Sequence, residues 1–189
     1  MTLLLARHGE CTASGTYCGR TDAPLTENGR QQAAALAQAL APYPISACFT
    51  SPLLRARETA QIALKGRRVP LSVDDRLREV DFGAWEGLKY AEIERRWPQL
   101  VPTWLSDPSR IDIPEGEPFS ALHNRVRAFL SEHVRSVSDD NVLIIAHGGP
   151  LAVVGLELHG RPASEFFNHV PRLGSLRPID VPLRKVLPC

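Results

Sequence analysis

Lysine is nearly missing from this chain: Lys65, Lys89 and Lys185 are the only three, so arginine carries almost all of the positive charge. Arginine's planar fork suits bidentate phosphate binding, but genome composition produces the same bias and is the simpler reading for most positions. Net charge is lacking as well. The 22 basic residues are balanced by 21 acidic ones, giving +1, so there is no broad basic field for nucleic acid or a membrane surface and any anion site has to be local. No run approaches the ~20 apolar residues of a membrane span. The chain enters its first strand without the basic segment of a secretory signal, so the expected compartment is the cytoplasm. Cys11, Cys18, Cys48 and Cys189 show no C-x-x-C spacing and no histidine at zinc-finger distance; free thiols are expected rather than a metal site or a disulfide framework. No G-x-G-x-x-G or Walker sequence follows a strand, which removes the usual nucleotide-binding fingerprints.

With 189 residues, 43% hydrophobic and 23% charged, there is material for one sizeable core and too little for two. A single domain over residues 1–189 is expected. Short apolar runs alternate with amphipathic stretches. Strands are expected at 3–6, 45–50, 71–73 and 142–146, with an edge strand at 176–181 inside a proline-rich tail. Helices are expected after the Thr26 N-cap to residue 40, over 53–64 with Ser51 as N-cap and Pro52 at N1, over 91–97, over 119–137, and from Gly149-Pro150 onward. This order argues for an α/β fold of three αβα layers, a mostly parallel sheet with helices on both faces. Residues 7–25 form a loop too long to be only a connection. The proline-rich stretch 88–118 reads as a lid or cap excursion, in which Trp97 and Trp104 read first as core residues and second as part of its inner surface.

Two of the strands end alike, in Leu5-Ala6-Arg7-His8-Gly9 and Ile145-Ala146-His147-Gly148. Ligands of open α/β sheets bind beyond the carboxyl ends of the strands, so both imidazoles are placed where chemistry is done. Taken alone, His147 reads as a structural histidine; the pair with His8 changes that. Arg7 and His8, then Ser51 with Arg55 one helical turn later, then His147-Gly148 bring guanidinium groups, imidazoles and at least two helix N-termini to one crevice. Such a set favours a dianion. The positive field lowers a histidine pKa and leaves a neutral imidazole able to attack phosphorus. Departure of the ester oxygen needs an acid, for which Glu79, Asp81 and Glu86 are candidates and Glu79 is preferred.

Five blocks in this order carry a resemblance: Arg7-His8-Gly9-Glu10; Pro24-Leu25-Thr26-Glu27-Asn28-Gly29; Ser51-Pro52-Leu53-Leu54-Arg55 through Ala60; Glu79 through Gly87; and Ala146-His147-Gly148-Gly149. Over residues 3 to about 155 the chain resembles the histidine phosphatase superfamily, phosphoglycerate mutase-like branch. The resemblance implies a phosphoglycerate mutase-like fold and phosphomonoester hydrolysis through a phosphohistidine on His8. It also implies that Arg7, Arg55 and His147 hold the phosphoryl oxygens, that Glu79 is the proton donor, and that Gly148 supplies a backbone N–H. Gly9 and the segment Tyr17 to Asp22, with Cys18, Gly19 and Arg20, fall near the phosphate or its ester. No metal and no cofactor is implied. An asparagine that many relatives carry after the histidine has no counterpart in 11–16, where Ser14 or Thr12 offers a hydroxyl instead.

Among members, the short stretch 88–118 favours hydrolysis over phosphoryl return. The Asp81–Gly87 and Pro114–Val126 segments look most like α-ribazole phosphatases, which implies α-ribazole 5′-phosphate, an intermediate of cobalamin nucleotide-loop assembly, as substrate. Broad-specificity or sugar-phosphate phosphatases, a mutase, and a non-catalytic phospholigand-binding regulator are the alternatives. The expected partner is a small phosphate ester, with no nucleic acid and no membrane; a homodimer stays open.

Overall fold

The computed structural model describes residues 2–134 and 141–181. Strands β1 (Thr2–Arg7), β2 (Ile45–Thr50), β3 (Leu71–Val73), β4 (Asn141–Ala146) and β5 (Leu176–Asp180) form one sheet in the order β3-β2-β4-β1-β5. Helices are α1 (Glu27–Ala39), α2 (Leu54–Ala63), α3 (Tyr90–Arg96), α4 (Val101–Ser106), α5 (Phe119–His133), α6 (Gly148–His159) and the single turn α7 (Phe166–His169). All strand pairs are parallel except β1 with β5. Pro178 lies in that edge strand, where a missing N–H is tolerated.

The two central strands read as unbroken apolar runs because both of their faces are covered. Leu3, Leu5, Val142 and Ile144 turn to one layer, against Leu122, Val126 and Phe129 of α5 and the apolar length of α6. Leu4, Ala6, Leu143 and Ile145 turn to the other, against Leu36, Leu40, Ala60 and Ala63 of the α1 and α2 layer. Each fully buried leucine contributes roughly 1.5–3 kcal/mol relative to exposure, so β1 and β4 are held firmly from both faces. This is the three-layer αβα architecture expected of the sequence.

Local chemistry sets the helix starts. Thr26 has extended backbone and its hydroxyl accepts the Gly29 N–H at 3.0 Å, as an N-cap should. The second helix departs from expectation: it begins at Leu54, not next to Ser51 and Pro52. The Ser51 hydroxyl accepts the Leu53 N–H at 3.2 Å, and the Asp22 carboxylate accepts the Leu54 N–H at 2.5 Å. The Leu53 and Leu54 amides at the start of α2 are therefore committed to protein oxygens, and at the start of α6 the Gly149 amide is committed to Glu79 Oε1.

Residues 88–118 hold α3 and also α4, a helix the prolines had concealed. Pro102 sits in its first turn, where no N–H is needed. Trp85, Ile93, Val101, Trp104 and Ile113 form a small core of their own under this segment. The short α7 was also unforeseen. The end of the 119–137 helix beyond residue 134 lies outside the described residues, as do Lys185, Cys189 and the end of the proline-rich tail. Cys11, Cys18 and Cys48 are free thiols. Among the described residues no helix is long and apolar enough to cross a membrane.

Candidate active site

Strands β1 and β4 are neighbours in parallel register, with Arg7 opposite Ala146. The next residue of each chain is a histidine, and the two leave the sheet side by side. Adjacent strands lie about 4.8 Å apart, and the His8 and His147 ring centroids are 4.9 Å apart. The His8 amide extends the ladder by one bond, donating to the Ala146 carbonyl at 3.0 Å. Gly9 then turns the chain against the first turn of α1, where a Cβ would collide with the Gly29 carbonyl oxygen. Its amide donates to the Thr59 hydroxyl at 3.1 Å.

The His8 Nδ1 lies 2.7 Å from the Gly9 carbonyl oxygen. A carbonyl only accepts, so Nδ1 carries the proton and Nε2 keeps its lone pair. The ring is held neutral: burial first, then the charges of Arg55 and Arg7, push the His8 pKa down to about 3. The arginine field expected from sequence is thus the second cause and desolvation the first, because the residue is only 5% exposed. His147 is fully buried and its pKa is also lowered, again by burial ahead of the charges around it. Its Nε2 is 2.7 Å from the Ser51 hydroxyl.

Two guanidinium groups complete the cluster. Arg7 donates from Nη1 to the Pro171 carbonyl at 2.9 Å. Arg55, 1% exposed, donates from Nη1 to the Thr21 carbonyl at 2.7 Å and from Nη2 to those of Cys18 and Gly19 at 3.1 and 3.0 Å. Six buried side-chain nitrogens have no hydrogen-bond partner among the described residues, and three of them, Arg7 Nε, Arg55 Nε and His147 Nδ1, belong to this cluster. A buried polar group left unpaired costs about 1–3 kcal/mol. Three of them around one neutral imidazole are a site for an oxygen-rich anion. A cavity of about 260 Å³ opens here, with Arg7, His8, Arg55 and Glu79 in its wall.

Comparison with known proteins agrees with this geometry. The family model of the histidine phosphatase superfamily (branch 1) matches residues 3–182. The chain belongs to that superfamily. This histidine phosphatase is 33% identical over 183 residues to the adenosylcobalamin/alpha-ribazole phosphatase of Salmonella typhimurium, covering 96% of this chain and 91% of that one. It is 30% identical over 168 residues to phosphoserine phosphatase 1 of Hydrogenobacter thermophilus, covering 88% and 80%. The crystal structure of the alpha-ribazole phosphatase from Shigella flexneri superposes with a TM-score of 0.84 at 31% identity, covering 95% and 90%. The chain is a phosphatase with the phosphoglycerate mutase-like fold.

Within this histidine phosphatase the three candidate acids have different fates. Glu86 is spent on the loop: its carboxylate accepts the N–H groups of Gly19 and Thr21 at 3.0 and 3.1 Å and the Thr21 hydroxyl at 2.7 Å. Asp81, with its side chain 42% exposed, accepts the Gly83 N–H at 3.0 Å and faces Arg20. Glu79 is buried and lines the cavity. Its Oε1 accepts the N–H groups of Val80 and Gly149, both at 2.9 Å, which leaves Oε2 uncommitted.

The remaining candidates divide. Ser14, Cys18 and Gly148 line the cavity, whereas Thr12 does not. The Ser14 hydroxyl accepts the Cys11 N–H at 3.0 Å. Gly19 and Arg20 point elsewhere. The Gly19 amide is taken by Glu86, and the Arg20 guanidinium lies 3.7 Å from both Asp81 and Glu117, so charge pairing holds it off the cavity wall. Gly9 acts behind the wall, through the His8 Nδ1 contact. Phe166, Phe167 and Leu173 line the cavity and went unread in the sequence; the Phe166-Phe167 doublet among polar residues was the available signal. Among the described residues no group of three or more His, Cys, Asp or Glu is placed to hold a metal ion.

Proposed function

We propose that His8 Nε2 attacks the phosphorus of a phosphate monoester while Arg7, Arg55 and His147 hold its non-bridging oxygens. The bond from phosphorus to the ester oxygen breaks as Glu79 transfers a proton from Oε2 to that oxygen, and the alcohol leaves. Glu79, now a carboxylate, takes a proton from the water that displaces phosphate from His8. The Ser51 hydroxyl, donating to His147 Nε2, leaves the Nδ1 proton of that ring for a phosphoryl oxygen. The observation that carries this reading is the neutral His8 with an open Nε2 among three unpartnered buried nitrogens.

The leaving group is read from the rest of the wall, which holds Tyr17, Phe82, Trp104, Phe166, Phe167 and Leu173. Against about 30 Å³ for one water, 260 Å³ admits a phosphoryl group and a ring. Beyond Arg7 and Arg55 no cation among the described residues lines the cavity, so the carboxylate of phosphoserine or phosphoglycerate meets no further positive charge there once the phosphate is held. An apolar, ring-bearing alcohol suits this wall. The substrate is accordingly α-ribazole 5′-phosphate, the substrate class that the names of the Salmonella and Shigella relatives give.

The test compares kcat/KM for α-ribazole 5′-phosphate with phosphoserine, 3-phosphoglycerate, sugar phosphates and nucleotides, with rapid-quench detection of the phosphoenzyme. A preference for α-ribazole 5′-phosphate is expected, and His8→Ala forms no phosphoenzyme. Preference for phosphoserine or phosphoglycerate overturns the substrate; a His8→Ala protein that still forms phosphoenzyme overturns the mechanism.

A further inference from the structure

Glu79 sits in a stretch with almost no regular structure, between short 3-10 turns at Asp75–Leu77 and Gly83–Trp85. A segment without helix or strand must satisfy its carbonyl groups by other means. Here they converge on one side chain of α5. Arg125 donates from Nη1 to the carbonyls of Arg76 and Arg78 at 2.6 and 2.7 Å, and from Nη2 to that of Glu79 itself at 3.2 Å. Its Nε and Nη2 also grip the Glu117 carboxylate in a fork, at 2.7 and 2.9 Å. All five N–H groups of the guanidinium are thereby used.

Glu117 closes the grip on the far side of the acid. Its amide donates to the Asp81 carbonyl at 2.9 Å, and its Oε2 accepts the Asp81 N–H at 3.4 Å. The backbone is held on both flanks of Glu79-Val80, and the acid's own Oε1 is pinned by the Val80 and Gly149 amides. We infer that Arg125, locked by Glu117, is a positioning residue for the acid: it fixes the backbone of residues 76–81 so that Glu79 Oε2 meets the ester oxygen. Neither side chain lines the cavity, so the pair touches no substrate and acts on the ester oxygen through the segment that carries Glu79. The inference rests on the reading of Glu79 as proton donor.

Leaving-group dependence separates this role from mere support of the fold. A phenol with strongly electron-withdrawing substituents departs without a proton; an alkyl alcohol does not. The quantity to follow is kcat/KM, which ends at leaving-group departure and excludes hydrolysis of the phosphoenzyme. For Arg125→Met, kcat/KM on an alkyl phosphate falls about tenfold or more, part of the 10²–10⁴ that general acid catalysis supplies. On 4-nitrophenyl phosphate it falls less than about threefold, and competitive inhibition by inorganic phosphate is unchanged. Arg125→Lys keeps the charge but not the five-way fork and stays selectively impaired. Glu117→Gln shows the same selectivity in milder form and carries the test if Arg125→Met does not fold.

Equal losses on both esters, or full recovery in Arg125→Lys, overturn the inference. Glu79→Gln run in parallel separates the two levels. Selective loss in Glu79→Gln without selective loss in the Arg125 and Glu117 variants removes the positioning role and leaves the acid. No selectivity in Glu79→Gln removes the acid itself.

Discussion

Keeping two imidazoles neutral and buried has a thermodynamic consequence that can be measured without any substrate. His8 is held near 3 and His147 is lowered in the same direction, both first by burial, whereas each takes up a proton near 6.5 once the chain unfolds. Below 6.5 the unfolded state binds more protons than the native one, so stability falls as pH falls, and the contribution is complete only above 6.5. Between pH 7.0 and 5.5 His8 alone costs about 1.3 kcal/mol by this linkage, and His147 adds to it in the same direction. For a domain of this size the His8 part is a drop in Tm of about 3–5 °C. Urea unfolding at the two pH values measures it, in phosphate-free buffer because phosphate bound to the native site stabilises it. Other groups titrate over the same range, so the informative quantity is the difference from a His8→Gln/His147→Gln protein, whose loss on acidification is smaller by at least that amount. Equal losses in the two proteins refute the argument that the site keeps both rings uncharged.

Two substitutions test the wall around the rings. At Gly149 a Cβ would lie 2.5 Å from Glu79 Oε1 and 2.7 Å from a Val80 methyl. Gly149→Ala therefore displaces Glu79, and on its proposed role as proton donor lowers kcat/KM for alkyl esters about tenfold or more, at a stability cost of about 1–3 kcal/mol from overpacking; steady-state kinetics on esters of graded leaving group, with a thermal melt, check both. Glu86→Gln puts an amide donor among the N–H groups that now meet a carboxylate, at roughly 1.5–3 kcal/mol per charged hydrogen bond lost. The loop whose carbonyls hold Arg55 loosens, so the inhibition constant of inorganic phosphate rises while leaving-group dependence stays as in the wild type. A change in that dependence would return Glu86 to the list of acids.

Much of the molecule was legible because its signals are local. The apolar runs at 3–6 and 142–146, the Thr26 cap and the stripe of α5 each depend on residues within a turn or two of one another. What misled was also local. Ser51-Pro52 has the pattern of a helix start, yet its serine is claimed by Leu53 and by His147, a residue 96 positions away. Pro98 and Pro102 look like breakers, and one of them sits inside the first turn of α4. Glu79, Asp81 and Glu86 could not be ranked by spacing, since what separates them is which backbone amides each one meets. Arg125 looked like one polar position on an amphipathic helix; only the carbonyls that gather round it reveal a task.

From its own order of residues the chain determined that two strands would end in histidine, that arginines would follow close by, and that a parallel sheet would carry them. Period-two and period-3.6 patterns, caps and turns decide such things, and they act over a few residues. Only the tertiary structure decided that β1 and β4 lie next to each other, that the first amides of α2 meet Ser51 and Asp22, and that Glu79 is the carboxylate turned inward. Those outcomes follow from long-range packing and hydrogen bonding, in which groups far apart along the chain compete for the same partners.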